Sequence, residues 1–287
     1  MRRLLDIASD QSSMGSILGI TNVFSGLASM RISVIKDQVL SSKLYFAELF
    51  NIYSKIRVSH IFNYGRDMQD QIIDKDLFIL ITSEGGFSGD IDQKLISYMS
   101  SSYNKDSVDI VVIGHHGALQ LAQIGIPFLR YFKMPFHDSN INVGPLVKII
   151  KQYRQTTVYY QTYVTLMVQD IKKLDLHSAI MESSFNSVTK TADIINEQSY
   201  IFEPDVHSLI AHLESVMLEI TLTETIFESK LAQYASRFRA MQGASERAEE
   251  LAGNLSSEFN KTKRFINDER LKEVINGLRK TESLNKA

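Results

Sequence analysis

Cysteine and tryptophan are both absent from the 287 residues of this chain. Without thiols, disulfides, thiolate zinc sites and cysteine nucleophiles are excluded, and the composition fits a reducing compartment. Proline is scarce, with 4 residues, all lying between Pro127 and Pro204. Long helices can therefore run unbroken on either side of that span. Neither sign of charge dominates: 31 basic residues stand against 33 acidic ones. That balance argues against nucleic acid as a partner, because nucleic-acid binders are usually basic. The stretch from Met1 to Ser13 carries basic residues but no apolar core followed by a small-residue cleavage site, so it does not read as a secretory signal. No uninterrupted apolar run approaches the ~20 residues needed to span a bilayer, and no transmembrane segment is expected. Hydrophobic residues at 44% and charged residues at 22% are ordinary for a soluble chain of one large or two smaller domains.

What the chain does have is heptad periodicity. After Pro204 and Asp205, which suit the first turn of a helix, the sequence reads as one helix to about Leu278. From Phe227 to Ile266 one heptad position runs Phe227, Tyr234, Met241, Ala248, Leu255, Thr262, and another runs Leu231, Phe238, Ser245, Ala252, Phe259, Ile266. All but Thr262 and Ser245 are apolar or alanine, with charged residues between them, which is the pattern of a coiled-coil seam. Such a helix would be on the order of 110 Å long, more than a compact domain can bury. A second long helix is expected from about Arg2 to Ile56. Its apolar side is read as Leu4, Leu5, Ile7, Met14, Ile17, Ile20, Val23, Leu27, Met30 and Val34, with Gly15, Gly19 and Gly26 lowering helix propensity. If the two helices pair antiparallel, Val23 lies opposite Phe238 and Met30 opposite Leu231. The second helix then runs on unpaired beyond roughly Asn260.

Between the helices the texture is that of an α/β domain spanning about 70–200. Asp76–Thr82 and Asp109–Ile113 read as short buried strands. Asp90–Met99 and Ala118–Gln123 have helical spacing, and Thr156–Val168 is rich in β-branched and aromatic residues. Alternating strands and helices imply a largely parallel, Rossmann-like sheet. Ser183–Gln198 reads as a polar loop.

Little in this domain suggests chemistry. The loop Glu84-Gly-Gly-Phe-Ser-Gly89 follows a strand, as phosphate-binding loops do. It lacks both the GxGxxG spacing and the Lys-Ser or Lys-Thr of a Walker loop, and a tight strand-to-helix turn is the better reading. His115-His116 has no Asp, Glu or His at i+3 or i+4 to complete a metal site, and reads as a solvent-facing loop. His177, Ser183 and Ser184 form no triad signature. No catalytic residue, metal ligand or cofactor-binding residue is assigned.

Several segments carry a resemblance in order along the whole chain. Ile7-Ala-Ser-Asp-Gln11 resembles an IASxQ motif. Thr82–Asp92 resembles STDRGLCGGLN, and Ile113-Gly-His-His-Gly117 resembles IGxKG. Ser236-Arg-Phe-Arg-Ala-Met241 with Ala244 and Ala248, then Leu255–Lys261, then Leu271–Gly277, resemble the SRMxAM, LxxxYNK and ELxEIxxG blocks. These are motifs of the gamma subunit of F-type ATP synthases. The resemblance implies an antiparallel coiled coil made of 1–56 and 204–287, turning as a shaft inside a head of alternating alpha and beta subunits. It also implies that the α/β domain sits on the membrane c-ring beside an epsilon (or delta-like) subunit. The catalytic nucleotide sites would belong to the head, and the chain would be a peripheral membrane protein on the cytoplasmic (or matrix-equivalent) face. Partner contacts carried over in this way are Arg237, Met241, Asn260, Lys261, Lys263, Arg264 and Asp268. The chain departs from the family in lacking the lysines of the N-terminal segment, and in having Lys263, Arg264 and Asp268 where the family has Arg, Gln and Thr. The rival reading is an independent α/β nucleotide-binding protein that oligomerises through a coiled coil.

Overall fold

A computed structural model describes residues 3–55, 73–135, 141–179 and 206–284. The expected loop Ser183–Gln198, and the expected helix and domain limits at Arg2, Ile56, 70, 200 and 204, lie outside these residues. The chain divides into two compact units, one from Ala28 to Phe238, the other made of Met1–Leu27 and Arg239–Ala287.

The first unit holds a five-stranded sheet. Helix α1 (Leu4–Lys55) ends within it. Then follow β1 (Ile73–Ile81), α2 (Ile91–Ser100), β2 (Val108–Ile113), α3 (His115–Gln123), β3 (Arg130–Phe132), α4 (Gly144–Ile150), β4 (Tyr153–Tyr163) and β5 (Gln169–Asp175). The final helix, α5 (Val206–Leu284), begins there. The strand order is β3-β2-β1-β4-β5. All neighbours pair in parallel except β4 and β5, which are antiparallel. The continuous apolar runs of β1 and β2 follow from burial on both faces. Leu77, Ile79, Ile81, Val111 and Val158 pack against α4 and against Met217, Leu218, Leu222 and Ile226 of α5. Phe78, Leu80, Ile110, Val112 and Tyr159 pack on the other face against Leu95, Ile96 and Met99 of α2 and Leu121 of α3. The long C-terminal helix is thus part of the domain core.

The strands expected at 76–82 and 109–113, and the helix expected at 90–99, are present. The single strand expected over 156–168 is instead β4 followed by a turn. The backbone N–H of Val168 donates to the carbonyl of Thr165, and that of Val164 to the carbonyl of Val168. The chain then reverses into β5. The short elements β3 and α4 were not anticipated, because three and seven residues are too few to show a period. His115-His116 opens α3 rather than lying in a loop.

The heptads of α5 hold. Phe227, Leu231, Met241, Ala248 and Thr262 are buried, and Tyr234, Phe238, Ser245, Ala252, Leu255, Phe259 and Ile266 are half-buried. In α1 the buried line differs from the expected one. It runs Ile7, Thr21, Ala28, Ile35 with half-buried Met14 between, a strict seven-residue repeat. Leu5, Ile17, Ile20, Val23, Leu27, Met30 and Val34 are exposed, from 40% to 81%. Val23 and Met30 therefore do not face the other helix. Small and polar residues took the seam, which hid the repeat from a reading based on apolar side chains.

In the sheet-bearing unit, Ile35 and Val39 pack with Phe227 and Leu231, within a turn of the anticipated antiparallel register. In the other unit Ser245 donates to Asn22 Oδ1 at 3.1 Å, somewhat further along α5 than anticipated. Burial on α5 continues to Ile266, so the bare tip starts at Asn267 rather than near Asn260. One further departure concerns α1. Leu4–Val39 is long and apolar enough, by length and composition alone, to cross a membrane, and little of its most apolar part is buried. No single apolar run signalled this, because small uncharged residues interrupt the apolar ones.

Candidate functional site

The parallel strands all deliver their C-terminal ends to one edge of the sheet. β1 runs straight into Thr82-Ser83-Glu84. Thr82 Oγ1 donates to the carbonyl of Ile113 at 2.9 Å and accepts from the N–H of Gly117 at 3.1 Å. That close approach explains both glycines of the Ile113–Gly117 turn. A Cβ on Gly117 would meet Thr82 Oγ1 at 2.3 Å, and one on Gly114, whose φ is +103°, would meet the Thr82 carbonyl oxygen at 2.1 Å. Glu84 caps the neighbouring backbone, accepting from the N–H of Met134 at 3.0 Å and of His115 at 3.3 Å, and from the Tyr131 hydroxyl at 3.1 Å.

Beneath this rim lies a buried carboxylate. Asp92, in the first turn of α2, is 1% exposed. It accepts from the backbone N–H and the hydroxyl of Ser83, from Gln161 Nε2 at 2.9 Å, and pairs with His116 Nδ1 at 2.8 Å. The bond to Asp92 raises the His116 pKa, partial burial opposes the rise, and the charge of Asp92 adds to it. His116 is thus no solvent-facing loop residue. Its partner lies 24 positions earlier and could not be found from local spacing. Ser83 is fully buried and bonded to the carboxylate rather than to the imidazole, so the trio is not a nucleophile with its base.

In open α/β sheets, ligands bind where the strand order reverses, outside the carboxyl ends of the strands. Here that point lies between β1 and β4, and α5 fills it. Gln161 of β4 donates to Asp92 through Nε2 and accepts at Oε1 from Ser229 Oγ and from Gln233 Nε2 at 3.2 Å. One turn on, Ser236 Oγ donates to the carbonyl of Ser88 at 2.7 Å. Arg237 Nη2 reaches Ser88 Oγ at 3.2 Å and the carbonyl of Gly85 at 3.4 Å, with its guanidinium 5.3 Å from the Tyr234 ring centre. Lys230 Nζ donates to the carbonyl of Pro135 at 3.0 Å. The glycine loop is therefore a strand-to-helix turn fastened to a helix. Its Phe87 holds a φ of +67° and an exposed ring. Sequence reasoning missed this network. A signal existed in Ser229, Gln233 and Ser236, a polar line at i, i+4 and i+7 in the most apolar part of α5, and in Gln161 inside an apolar strand.

The expected partner-contact residues fall into two groups. Arg237 is engaged with the loop as described, its pKa lowered by burial against the opposing effects of Tyr234 and Asp92. Met241 lies on the buried seam at 7% exposure. Asn260, Lys261, Lys263, Arg264 and Asp268 are exposed along the end of α5. Beyond them Leu271, Val274, Ile275 and Leu278, spaced i, i+3, i+4 and i+7, form an exposed apolar stripe. Among the described residues no three His, Asp or Glu side chains converge as a metal site.

The chain has matches among known proteins. A family model described as ATP synthase matches residues 3–279. The chain belongs to the ATP synthase family. Among similar members, the ATP synthase gamma chain of Clostridium botulinum (strain Hall) is 25% identical over 289 residues, covering 96% of each chain. The ATP synthase gamma chain of Staphylococcus epidermidis is 22% identical, covering 96% of this chain and 98% of its own. Among solved structures, a chain of the Euglena gracilis mitochondrial ATP synthase in rotational state 3 superposes with a TM-score of 0.56 at 11% identity, over 95% of this chain and 97% of that one. A chain from the central stalk and c-ring of the Tetrahymena thermophila mitochondrial ATP synthase gives 0.54 at 16% identity, over 79% and 99%. At these identities the superpositions establish the fold: an α/β sheet with long N- and C-terminal helices, matching ATP synthase central stalk structures.

Proposed function

We infer that this chain is the gamma subunit, the rotor shaft of the central stalk, of a rotary F-type ATP synthase. It couples ion flow through the membrane ring to conformational cycling of the catalytic beta subunits, and so to ATP synthesis or hydrolysis. The observation that carries the reading is on α5: its apolar stripe from Leu271 to Leu278 is exposed. Exposed apolar surface of this kind marks a contact with another protein. The exposed stripe of α1, from Ile17 to Val34, asks for the same cover. A head of alternating alpha and beta subunits supplies it. The α/β domain, whose β1–β4 crevice is filled by α5, sits on the c-ring beside an epsilon-like subunit. The complex is attached to the membrane through that ring.

Within this reading Asn260, Lys261, Lys263, Arg264 and Asp268 meet the head directly, while Arg237 and Met241 hold the shaft helix that presents them. Shaft orientation acts as a population shift. Each angle contacts one beta conformation better than the others, and a bias of about 5.5 kcal/mol suffices to turn a 1:99 preference into 99:1. The test is rotation. A head assembled with this chain, fixed to a surface and fed ATP, should turn a bead attached to the α/β domain. Replacing Lys263, Arg264 and Asp268 together by alanine should weaken torque while the chain stays folded. A head that hydrolyses ATP with this chain bound but never turns the bead would overturn the reading.

A further inference from the structure

A shaft must not slip against the domain that drives it. Apolar packing between a helix and a sheet is non-directional, so it resists separation better than it resists rolling of the helix about its own axis. Directional bonds fix the roll angle, and in the sheet-bearing unit they cluster on one short stretch of α5. Ser229 and Gln233, one turn apart on the same face, both bond to Oε1 of Gln161, and Gln161 reaches Asp92 through Nε2. Gln161 and Ser229 are 0% exposed, Asp92 1% and Gln233 5%. Both ends of the Gln161 amide are thus used, which sets its orientation. The anchor, Asp92, is itself fixed by Ser83 and His116.

Resting on the shaft reading above, we propose that Gln161 is the positioning residue that locks α5 at one roll angle in the ligand crevice of the α/β domain, so that torque passes between them without slip. The crevice that would hold a small molecule in an enzyme holds the amide, hydroxyl and carboxylate of a mechanical joint. A buried joint of this kind cannot slip by exchanging its bonds for water, because unsatisfied partners would remain buried on both sides.

The test uses the assembled complex in vesicles and on a surface. Gln161→Leu removes one donor from the Asp92 carboxylate and the acceptor that both donors on α5 share. The occupancy of slipped orientations should rise about tenfold, the scale of one or two lost buried hydrogen bonds. Angular fluctuation of a bead on the α/β domain should broaden, and ions pumped per ATP should fall several-fold. Gln161→Glu alone sets two carboxylates against each other and should do the same. Gln161→Glu combined with Asp92→Asn keeps one buried carboxylate and one amide with donor and acceptor exchanged, and should restore both readouts. Recovery would show that the bond between the two positions, rather than packing at either, sets both readouts. If Gln161→Leu does not assemble, Ser229→Ala, which removes a single donor, should show a smaller broadening. Rotation by the unsubstituted complex together with unchanged fluctuation and coupling in Gln161→Leu, or in Ser229→Ala where only that assembles, would overturn the joint and leave the shaft standing. Failure of the double variant to recover would overturn the assigned polarity of the joint. Absence of rotation in the unsubstituted complex would instead strike the shaft reading itself.

Discussion

Helix α5 meets two opposite environments along its length. From Thr225 to Ser236 every residue is buried or half-buried, and the buried set includes Thr225, Ser229, Lys230, Gln233 and Ser236. From Asn267 to Leu278 every residue is exposed, and the exposed set includes Leu271, Val274, Ile275 and Leu278. The first stretch buries polar residues among its apolar ones, and the second leaves apolar residues exposed among its charged ones, both against the usual sorting. The first stretch is buried because the chain itself supplies both the apolar surround and a partner for each polar group. The second has no such surround among the described residues, and the shaft reading assigns its cover to another subunit. Composition alone does not say which stretch is core. The supply of hydrogen-bond partners does.

Two glycines put that contrast to its severest test. Gly114→Val forces a side chain onto the Thr82 carbonyl at a backbone angle that L-residues rarely adopt. It should cost 3 kcal/mol or more, roughly, in thermal or denaturant unfolding of the chain. At the tip, Gly277→Ala meets nothing within 4 Å and should raise helicity, for a gain of at most about 1 kcal/mol.

Next come two aspartates. Asp92→Leu leaves the Ser83 N–H, Gln161 Nε2 and His116 without their acceptor and should destabilise by roughly 3 kcal/mol. Asp268→Leu on the bare tip should stay within about 0.5 kcal/mol. Equal losses at the two sites would mean that the tip is covered within the chain after all.

A smaller effect is expected from pH. The folded-state pKa of His116 lies above the ordinary 6.5 because Asp92 binds its ring. A raised histidine pKa means that the charged form stabilises the fold. The contribution is fully present below the unfolded pKa of about 6.5 and is lost as pH rises through the folded value. The groups around the pair are Asp92, Arg237, Glu84, His115 and Tyr131. The unfolding free energies of wild type and His116→Gln should therefore differ most below about pH 6.5 and converge above the folded pKa. A difference that grows with pH would show the wrong sign for this pair.

The smallest expected change in stability pairs with a large change in function. Serine at Leu271, Val274, Ile275 and Leu278 together should leave the unfolding midpoint of the isolated chain nearly unmoved, since none of the four is buried. ATP-driven rotation of the assembled complex should suffer. A lowered midpoint in the isolated chain would sharpen the contrast the other way, by revealing an intrachain partner for the stripe.

Much of this could be read from the residues. The α5 heptads, the buried runs of β1 and β2 and the antiparallel pairing all follow from period and burial. What escaped did so for physical reasons. The α1 seam uses Thr21 and Ala28 while Val23 and Met30 point outward, so an apolar count selected the wrong face. Element β3 is too short for any period. The Asp92 network joins residues far apart in sequence, Gln161 to Asp92 across 69 positions and Gln161 to Gln233 across 72. Only the closing of the sheet brings them together. The motif order pointed to the family, while the joint between helix and sheet needed coordinates.

The outward stripe of α1 bears on how the protein must be made. Between Gln11 and Met30 the helix has no charged residue, and Ile17, Ile20, Val23, Leu27 and Met30 face solvent. A free copy lacks the lysines and glutamates that keep other helices from sticking to their own kind, so two copies can zip together along this stripe. Such a chain is safest when its synthesis keeps pace with that of the other subunits of its complex. Produced alone in a cell, it should collect in the insoluble fraction, and co-production with those subunits should bring it back into solution.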